Sequence, residues 1–230
     1  MDGGSRYQLI SVERTDNGIA QSAAVTGANV RIITPDGISM QATEDVPTPD
    51  GRARWNGMYR VDLNAHGVFR PQPGATYTLT VTVPSGARTI TGTTTMPTPA
   101  GVDPGTIRPL FNRQTDTLRM AWPRAKGAAT YQVTIECAIP SGDATIFAQY
   151  SFFADTAFAL PGTARTLDND PVFFDGSIAT VYVHAVDDNY YSYYHVTTDP
   201  FAGAPPSRLH GALGVFGSMA VVTHTTFPVR

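Results

Sequence analysis

The sequence has few of the residues that carry covalent, metal-binding or electrostatic chemistry. Among 230 residues there is one cysteine, and charged residues make up 15%, well below the roughly 25% of an ordinary soluble protein. Because Cys137 stands alone, neither an intrachain disulfide nor a cysteine-based metal site can form. Its strand-like neighbours predict a buried residue. Because charged residues are few, the polar surface must come mostly from Thr, Ser, Asn and Gln, which are common on exposed strands.

Positive charge is also scarce. The net charge is −3, and Lys126 is the only lysine beside the arginines. Neutralising the phosphates of a nucleic acid requires clustered cations, so the composition argues against a nucleic-acid partner. Arginine forms better fixed pairs at interfaces than lysine does, so surface arginines are candidates for protein contacts.

Long hydrophobic runs and helical periodicity are missing as well. The most apolar run, residues 211–222, contains three glycines and is shorter than the roughly 20 residues of a membrane span. The first residues have neither the basic start nor the apolar core of a signal peptide, although a removed leader would leave the same pattern. Apolar residues nowhere recur at helical spacing over three turns, so we expect little helix.

One phrase occurs twice in the chain. Residues 74–81 read GATYTLTV and residues 127–135 read GAATYQVTI, and each phrase follows a segment that contains a tryptophan, Trp55 or Trp122. A glycine turn followed by alternating apolar and polar residues is typical of a half-buried strand. The repetition therefore predicts two β-domains in tandem.

The segment between the two phrases contains the best candidate for a linker. Residues 96–105 hold three prolines and two glycines, a density that favours a connection without regular structure. We place the linker at residues 99–105, the first domain at residues 1–98 and the second at residues 106–230. The expected fold class is all-β, with two tandem immunoglobulin-like or transthyretin-like sandwiches.

Two partial resemblances support this division. Trp122-Pro123, Tyr131-Gln132-Val133 and residues 182–186 (YVHAV) resemble strands of fibronectin type III domains, over residues 106–230. The first half resembles the carboxypeptidase-regulatory-like, transthyretin-type sandwich, through residues 25–30 (VTGANV), 35–37 (PDG), 57–59 (GMY) and 73–79 (PGATYTL).

Joined in this order, and followed by residues 211–218 (GALGVFGS), the chain resembles the DUF4249 family of bacterial cell-envelope proteins. Members of that family are typically lipid-anchored at an N-terminal cysteine, which this chain lacks. The resemblance therefore implies an extracytoplasmic location, periplasmic or at the cell surface, with the membrane reached through a partner or a removed anchor. It implies no catalytic residues.

Motifs of known chemistry are absent from the sequence. There is no Gly-x-Ser-x-Gly elbow, so a hydrolase is the least favoured class. The acidic segments 168–170 and 187–189 lack the spacing of a calcium loop and are typical of turns. We expect no catalytic residues, no cofactor and no metal, and so a protein that is not an enzyme.

The expected function is a structural or protein-binding module, for example an extrinsic subunit that stabilises a membrane-associated or surface complex. The alternative is a module that binds carbohydrate or a surface polymer through stacked tyrosines. Aromatic and arginine side chains are the usual anchors of interfaces, and loops carry them without changing the core. Two long loops, residues 43–54 and 187–207, with the residue that follows the first, supply the predicted contact residues: Arg52, Arg54, Trp55, Tyr190, Tyr191, Tyr193, Tyr194 and Phe201.

Overall fold

Alternation of apolar and polar residues produces antiparallel strands along most of the chain. The computed structural model describes residues 7–14, 23–44, 57–63, 70–84, 88–99, 110–197 and 206–230. The elements are β1 (Tyr7–Ser11), β2 (Glu13–Arg14), β3 (Ala23–Ala24), β4 (Asn29–Ile33), β5 (Ser39–Gln41), β6 (Thr43–Glu44), β7 (Met58–Asp62), β8 (Thr76–Thr82), β9 (Thr89–Thr95), β10 (Thr117–Ala121), β11 (Thr130–Ser141), β12 (Ala144–Ala154), β13 (Ala157–Pro161), β14 (Ile178–Val186), α1 (Asp188–Thr197) and β15 (Met219–Pro228). The all-β fold class predicted from the sequence is confirmed.

The chain divides into two compact units. The first comprises residues 1–96 and 192–218, and the second comprises residues 97–191 and 219–230. The segment 192–218 groups with the first unit. Two contacts hold part of it there. Thr91 and His210 exchange backbone hydrogen bonds of 3.1 and 2.8 Å, and Ser218 Oγ donates to the carbonyl of Thr95 at 2.9 Å.

The first unit contains a four-stranded sheet in the order β5-β4-β8-β9, a three-stranded sheet in the order β1-β7-β6 and the short pair β2-β3. Every second residue of β4, β7 and β8 is buried. These residues supply its core: Val30, Ile32, Tyr59, Val61, Tyr77, Leu79 and Val81. Burial of such side chains contributes about 1.5–3 kcal/mol each.

Threonine covers the other side of β8 and β9. Four cross-strand pairs face each other there, namely Thr76 with Thr95, Thr78 with Thr93, Thr80 with Thr91, and Thr82 with Thr89. All eight side chains are exposed or half-buried. Threonine suits this position because its branched side chain packs on a pleated surface while its hydroxyl remains polar. This face is polar without a single charged residue on either strand.

The second unit contains a four-stranded sheet in the order β12-β11-β14-β15 and the pair β10-β13. Its core lies on one side of the large sheet, where alternate residues of β11 and β14 are fully buried. Aromatic rings complete this core. Trp122 packs edge-on against Tyr131 with ring centroids 5.2 Å apart, and Phe152 packs edge-on against Phe158 at 5.3 Å.

The repeated phrase forms the same local structure in both units, a glycine turn followed by a buried tyrosine. Gly74 and Gly127 have φ angles of +77° and +81°, which a residue without a Cβ adopts at no steric cost. The following tyrosines, Tyr77 and Tyr131, are completely buried. The hydroxyl of Tyr77 accepts a hydrogen bond from the backbone N–H of Gln72, 2.7 Å away, and that of Tyr131 accepts one from Ala125. In each unit, the buried tyrosine therefore holds the preceding turn against the core.

Tyr59 plays the same part for another turn. Its hydroxyl accepts a hydrogen bond from the N–H of Ala28 at 2.8 Å and donates one to the carbonyl of Val25 at 2.7 Å. Burial raises the pKa of Tyr59 and of Tyr77 because the charged phenolate would lose its hydration. Both groups therefore stay neutral and keep their capacity to donate.

Replacing Tyr59 with Phe should lower the free energy of unfolding by about 1–3 kcal/mol, because the buried N–H of Ala28 and the partly buried carbonyl of Val25 lose this hydrogen-bond partner. Tyr182→Phe, on the solvent side of β14, is the control and should change stability by less than about 0.5 kcal/mol. Urea denaturation followed by fluorescence measures both. Equal effects of the two substitutions would contradict this role of Tyr59.

Candidate interaction surface

The aromatic segment after β14 is helical. The sequence predicted a loop over residues 187–207, but residues 188–197 form α1. Asp187 explains the helix. Its side-chain Oδ1 accepts from the N–H of Tyr190 at 2.9 Å, and its carbonyl accepts from the N–H of Tyr191 at 3.0 Å. An aspartate at this position satisfies N–H groups that would otherwise have no partner. In the sequence, the run Asp187-Asp188-Asn189 is the feature that could have indicated the start of this helix.

Two of the four predicted tyrosines hold α1 against the large sheet. The hydroxyl of Tyr190 donates to the side-chain oxygen of Gln132 on β11 at 3.1 Å. The ring of Tyr191 packs edge-on against Phe153 on β12, with centroids 5.2 Å apart. Both rings are half-buried, and each already contacts a residue of the second unit.

The other two tyrosines contact each other. Tyr193 and Tyr194 pack edge-on with ring centroids 5.3 Å apart, and Tyr194 is 40% exposed. Partial burial raises the pKa of Tyr194, and the neighbouring Tyr193 adds to the shift. Of the four rings, Tyr194 is thus the most accessible. Arg52, Arg54, Trp55 and Phe201 lie outside the described residues, and their part in an interface stays a prediction.

The outer face of the large sheet was not predicted from the sequence. We use this name for the side of β12-β11-β14-β15 that faces away from the core. On β11 it is formed by Gln132, Thr134, Glu136 and Ala138, which alternate with the buried residues. The strand register places one residue of β12 and one residue of β14 opposite each of these four residues. The result is a set of rows that run across the four strands.

A row of rings occupies the middle of the outer face. Tyr182 on β14 lies between His184 of the same strand and His224 of β15. Its ring is nearly parallel to both imidazoles, with interplanar angles of 11° and 23° and centroid distances of 6.3 Å in each case. Beside Tyr182, the hydroxyls of Thr134 and Ser151 lie 2.9 Å apart. This region offers aromatic surface and hydroxyl groups together.

A second row of the outer face is apolar and lies towards the C-terminal end of β11. Ala138 lies opposite Phe147 of β12 and Ile178 of β14, and Ile178 lies opposite Pro228 of β15. Phe147 is 64% exposed and Ile178 is 52% exposed. We call these four residues the apolar row. A contiguous set of exposed apolar side chains is typical of a binding surface, whereas single exposed ones are ordinary.

Reactive groups do not gather in the part of the chain that the structure describes. No set of three His, Cys, Asp or Glu residues there could hold a metal ion. Cys137 is buried and its thiol donates to the carbonyl of Val172 at 3.4 Å. Burial raises the pKa of this thiol, which disfavours the nucleophilic thiolate. The acidic segment 168–170 forms a turn, with Asn169 at φ +67° and its carbonyl bound by Arg165.

These features describe an all-β protein made of antiparallel sheets, with one open, weakly charged sheet face in its second unit. The family model "Domain of unknown function (DUF4249)" matches residues 2–226, and the chain belongs to this family. The family resemblance seen in the sequence is thereby confirmed. No curated protein matches the chain. None of the described residues forms a helix of the length and apolarity needed to cross a membrane.

The cap at Asp187 can be tested directly. Asp187→Ala should destabilise α1 by about 0.5–2 kcal/mol, because the N–H of Tyr190 loses its acceptor. Asp187→Asn is the matched control, since its side-chain oxygen can still accept that bond. Hydrogen exchange of the amides of α1, read by mass spectrometry, should accelerate in the first variant and stay close to the wild type in the second. Equal protection in both variants would show that packing alone holds the helix.

Proposed function

We propose that the protein is a non-enzymatic extracytoplasmic module that binds another protein, for example as an extrinsic subunit of a membrane-associated or surface complex. The observation that carries this proposal is the apolar row, where Phe147 and Ile178, on either side of Ala138, are 64% and 52% exposed. The extracytoplasmic part comes from the family resemblance.

The surroundings of the apolar row resemble the edge of a protein interface. The next row of the outer face consists of polar, mostly uncharged residues, with Thr180 and Thr226 hydrogen-bonded through their hydroxyls at 3.1 Å and Gln149 opposite Glu136. Interfaces typically have an apolar centre and a polar rim. With 15% charged residues, the chain has little capacity for long-range electrostatic attraction, so contact energy must come from such apolar anchors.

Ile178→Asp tests the proposal. It places a charge in the middle of the apolar row, and we expect it to weaken binding of the partner at least about tenfold, or about 1.4 kcal/mol. Thr80→Asp, on the threonine face of β8, is the control and should leave binding unchanged. The measurement is the stoichiometric recovery of the partner when the tagged protein is purified from gently solubilised cell envelopes.

Both variants replace side chains that are not part of a core, so their thermal melts should stay close to that of the wild type. The proposal fails if Ile178→Asp retains the partner while Thr80→Asp loses it. It also fails if the pure native protein hydrolyses an ester, peptide or glycoside substrate in a broad screen.

Carbohydrate binding is the second candidate, and the row of rings favours it. Aromatic rings stack on the apolar faces of sugars, and Tyr182, His184 and His224 lie beside the hydroxyls of Thr134 and Ser151. Tyr190 and Tyr191, on which the sequence argument relied, already contact Gln132 and Phe153. A glycan array should then give a signal that Tyr182→Ala removes. An array at background level with the wild type would eliminate this candidate.

A further inference from the structure

Strand β12 is a long strand at the edge of its sheet. It spans eleven residues and is the first in the order β12-β11-β14-β15. Within the ranges that the structure describes, β12 pairs with β11 alone. Among the described residues, no strand lies beside the N–H and carbonyl groups on the other side of its backbone. Such an edge is a template for pairing with a further strand.

The residues of β12 include none of the usual features that prevent edge pairing. Natural edges carry charged side chains, proline, bulges or a covering segment. The sequence of β12, ATIFAQYSFFA, has no charged residue, no proline and no glycine, and its pairing with β11 is regular over the whole length.

The other long edges of the large sheets are protected. Opposite β12, the edge strand β15 contains a bulge at the level of Val183 and His184, and Phe111 pairs with its end. In the first unit, the edge strand β9 is bridged by His210. The edge strands β15 and β9 are thus protected from further pairing, whereas β12 has neither a bulge nor a bridging segment among the described residues.

The inward side chains of β12 are also incompletely covered. Tyr150 and Phe152 face the core opposite Ile135 and Val133, and their rings are 5.5 Å apart. Both pack against the core but stay only partly buried, whereas Ile135 and Val133 on the next strand are fully buried. Another strand beside β12 would cover their open sides, as β12 covers those of β11.

We propose that this edge pairs in antiparallel orientation with β12 of a second copy of the chain. A two-fold axis through the level of Gln149 gives the longest overlap. It sets Ile146 opposite Phe152, and Phe147 opposite Ser151, so that core-facing residues meet core-facing residues. The two four-stranded sheets then form one continuous sheet.

Self-pairing about this axis places Gln149 opposite its own copy and every other side chain of β12 opposite a different residue of the same strand. A like charge directly opposite another is destabilising in a sheet. Because β12 carries no charge, self-pairing avoids that cost, and a two-fold interface closes after two copies instead of growing into a fibre. A partner with a charged strand would gain nothing from this edge.

Light scattering after size-exclusion chromatography, together with sedimentation equilibrium, tests the proposal on the full chain. The wild type should have twice the monomer mass, with a dissociation constant below about 1 mM. Gln149→Lys brings two ammonium groups together and should raise that constant at least tenfold, as should Gln149→Glu. Mixing the two variants should restore a dimer that contains one copy of each.

Thr226→Lys is the control, since it adds the same charge to the same face but on β15, and it should dimerise like the wild type. The proposal is overturned if the wild type is a monomer up to about 1 mM, if Gln149→Lys still dimerises normally, or if the mixture stays monomeric. The two proposals share Phe147 and Gln149 of β12, but they are tested separately, because Ile178 lies two strands away from this edge and its variant changes only the apolar row.

Discussion

Hydrogen bonds from backbone N–H groups to the hydroxyls of three buried tyrosines fix three turns of this protein. Tyr59, Tyr77 and Tyr131 each have a ring that fills the core and a hydroxyl that binds the backbone of a neighbouring turn. A chain with 15% charged residues and one cysteine offers few charged side chains for salt bridges and cannot form an intrachain disulfide to hold its turns. A buried tyrosine provides both apolar area and a polar contact from one residue.

Fixed turns determine the register of the strands, and the register determines what the outer face presents. A slip of one residue would reverse every side chain of β11, moving Val133 and Ile135 to the solvent. The short link between Ala125 and Tyr131 prevents such a slip at the start of that strand. The row of rings and the apolar row are thus consequences of the same constraint, since the register sets Tyr182 opposite His224 and Ala138 opposite Phe147 and Ile178.

Local patterns predicted most strands, and contacts between distant residues account for what they missed. The alternation in the repeated phrase predicted strands within residues 74–81 and 127–135, and β8 and β11 begin there. The repeated phrase correctly identified two equivalent glycine turns. Helix α1 was missed because its ten residues have no apolar stripe and depend on Gln132, 58 positions away from Tyr190. The pairing of His210 with Thr91 likewise has no local signal. The outer face was missed because it requires the strand order, which single segments do not reveal.

Scarcity of charge links the threonine faces, the apolar row and the open edge. Charged side chains usually keep sheet proteins apart, because they repel one another and are costly to bury at an edge. Where they are few, solubility depends on hydroxyl groups such as the threonine pairs of β8 and β9. Hydroxyls can hydrogen-bond to water or to a partner with little difference in free energy. On a surface of this composition, shape and the backbone groups of the edge strand β12 would distinguish one partner from another more than charge would.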